Sequence, residues 1–172
     1  HSRVRRQRQM CIRDRYTKSL GGLIVHFWNV YGIEKDMEKA HVITDFIRKG
    51  FETGVIDMMT DGTEERQFLY AEDCCKALKI IMKKYDEFKS DDPLHITSFR
   101  NNSILEVAET IQDVFKEHGM NHIEISPSKL KDSVQMDKKN KPDTYILDWW
   151  QPKTTLMSGI TKVFEAMKND WV

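Results

Sequence analysis

The chain has 172 residues, of which 40% are hydrophobic and 31% charged, enough for one domain with a hydrophobic core. No run approaches the roughly 18 consecutive apolar residues that a membrane-spanning helix needs, and the amino terminus does not resemble a signal peptide, so membrane and exported proteins are not expected. The formal net charge is zero, and two of the three cysteines, Cys74 and Cys75, are adjacent, which predicts reduced thiols and a cytoplasmic protein.

The first fifteen residues differ in charge from the rest. Residues 1–15 contain six arginines and one acid, whereas the remaining chain has 21 basic and 26 acidic residues, a net charge of −5. That remainder has no broad basic face, so nucleic acid is not an expected partner. A basic arm that binds nucleic acid or an anionic surface is one interpretation of residues 1–15. Because residues 10–15 are typical of translated adapter DNA, we interpret 1–15 as a non-native tail and expect the natural protein to extend upstream.

The first structural signal is an almost unbroken apolar run, Leu23 to Val30, between Gly21-Gly22 and Gly32. Such a run, bounded by turn residues, predicts a parallel strand that is buried on both faces. Residues 40–51 carry apolar side chains at spacings of three and four, which predicts an amphipathic helix that Gly54 ends.

Short strands and helices alternate through the rest of the chain. Further strands are predicted over 55–60, 66–71, 94–97 and 122–125. The helix after Asp73 is predicted to bury one stripe, formed by Cys74, Ala77, Leu78, Ile81, Met82 and Tyr85. Ser103 and Glu106 form a capping box that opens a helix, and a last helix covers 156–167. This alternation predicts an α/β protein.

The polar segment 126–144 is too long for a simple connector. A binding loop and a flexible surface loop are alternatives for it. No spacing of cysteine, histidine and acidic residues predicts a metal site.

Asn29-Val30-Tyr31-Gly32, at the end of the first strand, resembles a motif of extended short-chain dehydrogenase/reductases, the NAD-dependent epimerases and dehydratases of nucleotide sugars. The resemblance spans roughly Tyr16 to the carboxy terminus, through segments 41–47, 61–73, 94–97, 142–143, 150–152 and 156–160. It implies the carboxy-terminal part of a Rossmann-like parallel sheet plus a small mixed α/β substrate-binding domain. Residues 16–33 are expected to be the end of a Rossmann helix and a strand. Residues 34–172 are expected to form the substrate-binding region, with some elements packing back on the Rossmann sheet.

The resemblance also implies roles for individual side chains. Asn29 is expected near the substrate phosphates, with a turn cap as the alternative. Phe27 and Trp28 are expected beside the nicotinamide, with core packing as the alternative. Arg66 is expected to bind the diphosphate through its planar guanidinium fork. The alternative for Arg66 is a surface salt bridge.

Further residues of the resemblance border the substrate or depart from the pattern. His41 and Val42 lie in a segment that borders the substrate in relatives, although a structural role is the alternative for His41. Asn140 stands where relatives commonly carry an arginine that clamps the phosphates. Asp73 is expected to be a cap or a first-turn acid of its helix rather than to transfer protons.

Two hallmarks of the family's catalytic half are not present in a usable form in these 172 residues. Tyr16 and Lys18 do not form a Tyr-x-x-x-Lys pair, and no Gly-x-x-Gly-x-x-Gly turn occurs. We therefore expect no catalytic residue, weak or no binding of NAD or NADP, and no activity from this chain alone. The prediction is the substrate-binding part of an NAD-dependent nucleotide-sugar epimerase or dehydratase, whose full-length parent uses NAD or NADP and forms a homodimer. A reductase or decarboxylase of the same family and a non-catalytic nucleotide-sugar-binding module are alternatives.

Overall fold

The computed structural model describes residues 19–34, 36–37, 40–88, 93–132 and 141–171. The predicted tail 1–15, Tyr16 and Lys18 lie outside the described residues. The elements, in chain order, are β1 (Val25–Phe27), β2 (Asn29–Tyr31), α1 (Val42–Thr53), β3 (Val55–Asp57), β4 (Glu65–Arg66), β5 (Phe68–Tyr70), α2 (Ala71–Lys83), β6 (Leu94–Ile96), β7 (Asn102–Ser103), α3 (Ile104–Glu117), β8 (Glu124–Ser126) and α4 (Leu156–Trp171). Two short 3-10 helices, Tyr85–Phe88 and Tyr145–Asp148, lie between these elements.

The strands pair mostly in parallel, as expected for an α/β protein. The strand β1 pairs with β6, β2 with β5 and β3 with β8, all in parallel. The short strands β4 and β7 pair antiparallel. With four α-helices beside these pairs, the predicted fold class is confirmed.

The apolar run 23–30 does not form one buried strand, and that prediction is wrong for this chain. The run breaks at Trp28 into β1 and β2, which pair with different partners. Most of its side chains are half-buried, and Phe27 is 53% exposed. The reason is that each of the two strands has one neighbour among the described residues, so its other edge and part of its face are uncovered.

The local helix signals are largely reproduced. The helix α1 buries Ile43, Phe46, Ile47 and Gly50, and it ends at Gly54, whose φ of 71° favours glycine. The predicted capping box is present at the start of α3, because Ser103 Oγ accepts the Glu106 N–H at 3.0 Å and Glu106 Oε2 accepts the Ser103 N–H at 2.7 Å.

The predicted buried stripe of α2 is wrong at Met82, and its last member, Tyr85, lies in the 3-10 helix after α2. Cys74, Ala77 and Ile81 are buried, but Met82 is 79% exposed. Successive helical residues are rotated by about 100°, and this rotation turns Met82 away from the core that Ile81 faces. Cys74 and Cys75 are both free thiols.

Asp73 is a first-turn acid of its helix and not the cap, so the second of the two predicted roles holds. The N-cap of α2 is Tyr70, without a side-chain hydrogen bond, and Asp73 lies in the first turn. Its fully buried carboxylate accepts the backbone N–H groups of Lys153 at 2.8 Å and Thr154 at 2.7 Å. Burial raises the pKa of Asp73, but these hydrogen bonds outweigh burial and hold the pKa below its ordinary value.

The core consists of two hydrophobic clusters that Asp73 connects. The first lies among α1, α3 and α4, where Phe115 and Phe164 contact each other with ring centroids 4.9 Å apart. The second surrounds α2 and β6 and includes Phe88 and Trp150. Asp73 connects the first turn of α2 to the segment that leads into α4. Its hydrogen bonds thereby fix the position of one cluster relative to the other. None of the described helices is both long and apolar enough to cross a membrane.

Candidate functional site

A cavity of about 570 Å³ opens between α1, the strands β2 and β5, and the connection from β3 to β4. Its wall includes three residues that were predicted from the sequence to bind the substrate, Asn29, Val42 and Arg66. Pairing of β2 with β5 brings Asn29 opposite Phe68, and the first turn of α1 contributes Val42. The fold therefore brings together residues that are 37 positions apart in the chain.

Arg66 presents a half-paired guanidinium to this cavity. Its Nη2 donates to Asp132 Oδ2 at 2.6 Å, and the side chain is only 22% exposed. Its Nη1 is buried without a hydrogen-bond partner. A buried donor that lacks an acceptor is costly, and the planar fork of a half-paired guanidinium suits an anion with several acceptor oxygens, such as a phosphate.

Glu64 lines the same wall and was not singled out from the sequence. Its Oε1 accepts the hydroxyl of Thr60 at 2.6 Å, while its Oε2 is buried without a partner. The available signal was its spacing of two from Arg66, because residues two apart on extended chain project to the same side.

The face of α1 contributes one acid and one base that are paired with each other. Asp45 accepts from Arg48 at 2.5 Å and lies 3.1 Å from Lys49 Nζ. Burial raises the pKa of Asp45, but the hydrogen bonds from Arg48 and Lys49 hold it below its ordinary value, so Asp45 stays ionised near neutral pH. Lys49 also donates to the Asp57 carbonyl at 2.8 Å. Both side chains are therefore already engaged within the wall.

A buried amide supports the strand ends beneath the cavity. Gln67 is 5% exposed, donates to Asn101 Oδ1 at 2.9 Å and accepts the Thr97 hydroxyl at 3.0 Å. Asn29 Nδ2 donates to the Gln67 carbonyl at 3.3 Å. This hydrogen bond fixes Asn29 to the neighbouring strand. Sequence reasoning missed Gln67, Thr97 and Asn101, since no local pattern pairs residues thirty or more positions apart.

His41 is placed differently from Val42. The His41 side chain is 72% exposed and is not among the residues that line the cavity. Its ring Nδ1 and its backbone N–H both contact the carboxylate of Glu34. Burial raises the pKa of Glu34, but the hydrogen bonds with His41 outweigh burial and lower it. This contact is consistent with the structural alternative, in which His41 fastens the loop to the start of α1.

Phe27 and Trp28 lie outside the cavity wall as well. The Trp28 ring contacts His95 at a centroid distance of 5.8 Å, and His95 stacks on His26 at 5.2 Å. Burial and the neighbouring His26 lower the pKa of His95. Its Nδ1 accepts the Asp143 N–H at 3.1 Å, which requires an unprotonated Nδ1. Asn140 lies outside the described residues.

The described residues do not fit the pyrophosphate of a nicotinamide dinucleotide. That group needs a glycine-rich turn that leads from a strand into a helix amino terminus with open N–H groups. The strand β5 passes directly into α2 at Tyr70 and Ala71, without a glycine. Each described helix that follows a strand also has an acid in its first turn, namely Asp45 in α1, Glu72 and Asp73 in α2, and Glu106 in α3. These carboxylates repel a second anion at those positions.

Comparison with known proteins identifies the fold and the family. The family model described as NAD dependent epimerase/dehydratase family matches residues 7–96, a match that begins inside the predicted tail. A crystal structure of UDP-glucose 4-epimerase from Thermotoga maritima superposes with a TM-score of 0.75 at 18% identity, covering 92% of this chain and 52% of that one. The Rossmann-like fold predicted from the sequence is thereby confirmed.

Two curated proteins share recognisable sequence with the chain. GDP-L-fucose synthase of Sinorhizobium fredii is 31% identical over 154 residues, which cover 83% of this chain and 45% of that protein. UDP-glucuronic acid decarboxylase 1 of Arabidopsis thaliana is 24% identical over 149 residues, covering 85% of this chain and 32% of that protein. The chain thus spans less than half the length of either relative. Since the family model matches more than half of its residues, the chain belongs to the NAD dependent epimerase/dehydratase family.

Proposed function

We propose that this chain is the substrate-binding part of an NAD-dependent enzyme that modifies a nucleotide sugar, and that the cavity holds the nucleotide diphosphate. The half-paired guanidinium of Arg66 is the observation that carries the proposal, because its buried Nη1 lacks an acceptor. A phosphate oxygen would supply that acceptor, in the charge-assisted geometry that arginine favours.

The other predicted binding residues support this assignment to different degrees. Asn29 and Val42 line the cavity beside Arg66, so we assign them to the substrate as well. His41 would act indirectly, through the loop that it fastens to α1. Asn140 stays a prediction, and so do the roles of Phe27 and Trp28 beside a nicotinamide.

Hydride transfer belongs to the bound nicotinamide cofactor, NAD or NADP, of the whole enzyme. The residues of this chain would bind and orient the nucleotide sugar, and they would neither hold the dinucleotide pyrophosphate nor move the substrate proton. We therefore expect the chain alone to bind NAD weakly or not at all and to be inactive. We assign the whole enzyme to the cytoplasm as a homodimer.

The reaction type is open between members of the family. One of the two curated relatives carries the name of a synthase of a GDP-sugar and the other that of a UDP-sugar decarboxylase, so an epimerase or dehydratase competes with a reductase or decarboxylase. A non-catalytic nucleotide-sugar-binding module would use the same cavity. The nucleotide that binds is the first property that narrows this choice.

Calorimetric titration of the purified chain with UDP-, GDP- and dTDP-sugars and with NAD tests the proposal. We expect one nucleotide sugar to bind. Arg66→Ala should weaken that binding about 100-fold, because the charge-assisted hydrogen bonds are lost and the phosphate is left without its partner charge. Arg100→Ala is the matched control, because Arg100 does not line the cavity. Nucleotide-sugar binding that is equally strong in the Arg66→Ala variant would refute the role of the cavity. Tight NAD binding would refute the proposal that this chain does not hold the dinucleotide.

A further inference from the structure

Two residues that line the cavity each carry one buried polar atom without a hydrogen-bond partner, and the two atoms are of opposite character. One is the donor Nη1 of Arg66 and the other is the acceptor Oε2 of Glu64. Buried polar groups in folded proteins are nearly always paired, so an unpaired donor and an unpaired acceptor in one cavity point to a single ligand that meets both.

The spacing of the two residues defines the shape of that ligand. Positions 64 and 66 are two apart along nearly extended chain, so their side chains project to the same side, with backbone positions roughly 6 to 7 Å apart. Glu65, between them, projects to the other side and is exposed. The ligand must therefore offer an anionic acceptor to Arg66 and, a short distance away, a second group to Glu64.

The second group must be a neutral hydrogen-bond donor. A carboxylate accepts hydrogen bonds and repels another anion, so a second phosphate does not suit Glu64. The hydroxyl of Thr60 already donates to Oε1 at 2.6 Å, so Oε2 is the oxygen of Glu64 that lacks a partner. In a nucleotide sugar, the hydroxyl groups of the ribose and of the pyranose are the donors attached next to the diphosphate, whereas the donor edge of the base lies beyond the ribose.

We propose that Glu64 is a specificity-determining residue that accepts a hydrogen bond from a sugar hydroxyl adjacent to the diphosphate. This inference rests on the proposed function, because Arg66 must hold the phosphates for the hydroxyl to reach Glu64. Ribose and pyranose present the same chemistry, and the experiment below distinguishes them. A site built around a buried acceptor rejects an analogue that lacks the hydroxyl, because the acceptor is then left unpaired.

The test is a set of titrations that combines analogues with variants. The ligands are inorganic pyrophosphate, UDP and GDP, their 2′-deoxy and 3′-deoxy forms, UDP-glucose and GDP-mannose. The proteins are wild type, Glu64→Gln, the matched control Glu65→Gln and Arg66→Ala. If the hydroxyl is on the ribose, a deoxy form binds wild type about tenfold more weakly than the parent nucleotide. Glu64→Gln keeps only one neutral acceptor and should reduce that ratio about threefold. If the hydroxyl is on the pyranose, wild type binds the nucleotide sugar more tightly than the free nucleotide. Glu64→Gln then lowers the ratio of these two affinities instead.

Pyrophosphate separates the hydroxyl contact from the phosphate contact. It carries no sugar, so Glu64→Gln should not weaken its binding, whereas Arg66→Ala should abolish it. The inference is overturned if wild type does not discriminate any hydroxyl, or if Glu64→Gln and Glu65→Gln leave every ratio equally unchanged. The proposed function itself fails in a different way, in which wild type binds neither pyrophosphate nor any nucleotide, or binds them independently of Arg66.

Discussion

Replacement of the buried carboxylate of Asp73 should destabilise the chain more than any other loss of one negative charge on α2. Asp73 is 1% exposed, and its Oδ2 accepts two backbone N–H groups, at 2.8 Å from Lys153 and 2.7 Å from Thr154. Hydrogen bonds to a charged group contribute about 1.5–3 kcal/mol each, so Asp73→Ala is expected to lower the free energy of unfolding by about 3–5 kcal/mol. That is a large part of the roughly 5–15 kcal/mol that holds a domain folded.

Asp73→Asn keeps one acceptor and removes only the charge, so its cost should be about half as large. Urea unfolding, followed by tryptophan fluorescence, measures both variants. The matched control is Glu72→Gln, because Glu72 is the adjacent acid of the same first turn and forms only exposed ion pairs, with Lys76 at 3.2 Å and Lys162 at 3.0 Å. Equal stability losses for Asp73→Asn and Glu72→Gln would refute the reasoning.

The dependence on pH provides an independent check of the same carboxylate. The pKa of Asp73 in the folded chain lies below its ordinary value, so the folded state binds this proton less readily than the unfolded state. The contribution of Asp73 to stability is therefore complete above the ordinary aspartate pKa of about 3.9, and it is lost as pH falls through the lower folded value. Consequently, the difference in stability between wild type and Asp73→Asn should be constant above about pH 5 and should shrink in stronger acid.

Three further perturbations test the site and the core. Asp132→Asn removes the carboxylate that competes with the phosphate for Arg66. Pyrophosphate binding should therefore become about fivefold tighter, equivalent to about 1 kcal/mol. Weaker binding would mean that Asp132 instead orients the guanidinium. Gly50→Ala should cost about 1–3 kcal/mol in urea unfolding, because the new Cβ would lie 2.5 Å from Phe115 Cζ, and Phe115→Leu in the same chain should recover part of the loss. Ser103→Ala should cost about 1 kcal/mol, and a neutral result would show that Glu106 alone suffices at the start of α3.

Local sequence signals predicted the helices well because their causes are local. The capping box of α3 and the glycine end of α1 depend on residues within a few positions of each other. The error at Met82 and the division of the run 23–30 have a different origin. Both depend on which neighbour covers a given face, and neighbours come from distant parts of the chain.

The same distinction separates the site residues that could be predicted from those that could not. Asn29, Val42 and Arg66 were nominated by motifs, and all three line the cavity. The hydrogen bonds by which Gln67 supports the strand ends could not be predicted from the sequence, because its partners Thr97 and Asn101 lie 30 and 34 positions away. Asp73 was recognised as a structural acid, but its acceptor role depends on Lys153 and Thr154, which no periodicity connects to α2.

The charges of the cavity wall argue that recognition depends on geometry more than on long-range attraction. Among the ionisable residues of the wall, three are acids and two are bases, so the wall does not concentrate anions by its net charge. Lys49 is engaged with Asp45, and Arg66 must exchange Asp132 for a phosphate. Because that exchange replaces one charged hydrogen bond with another, the net gain from the phosphate contact comes from the Nη1 of Arg66, which otherwise lacks an acceptor. A ligand that also donates to Glu64 pairs an acceptor that was otherwise unpaired, and such a site favours a phosphorylated sugar over a bare phosphate.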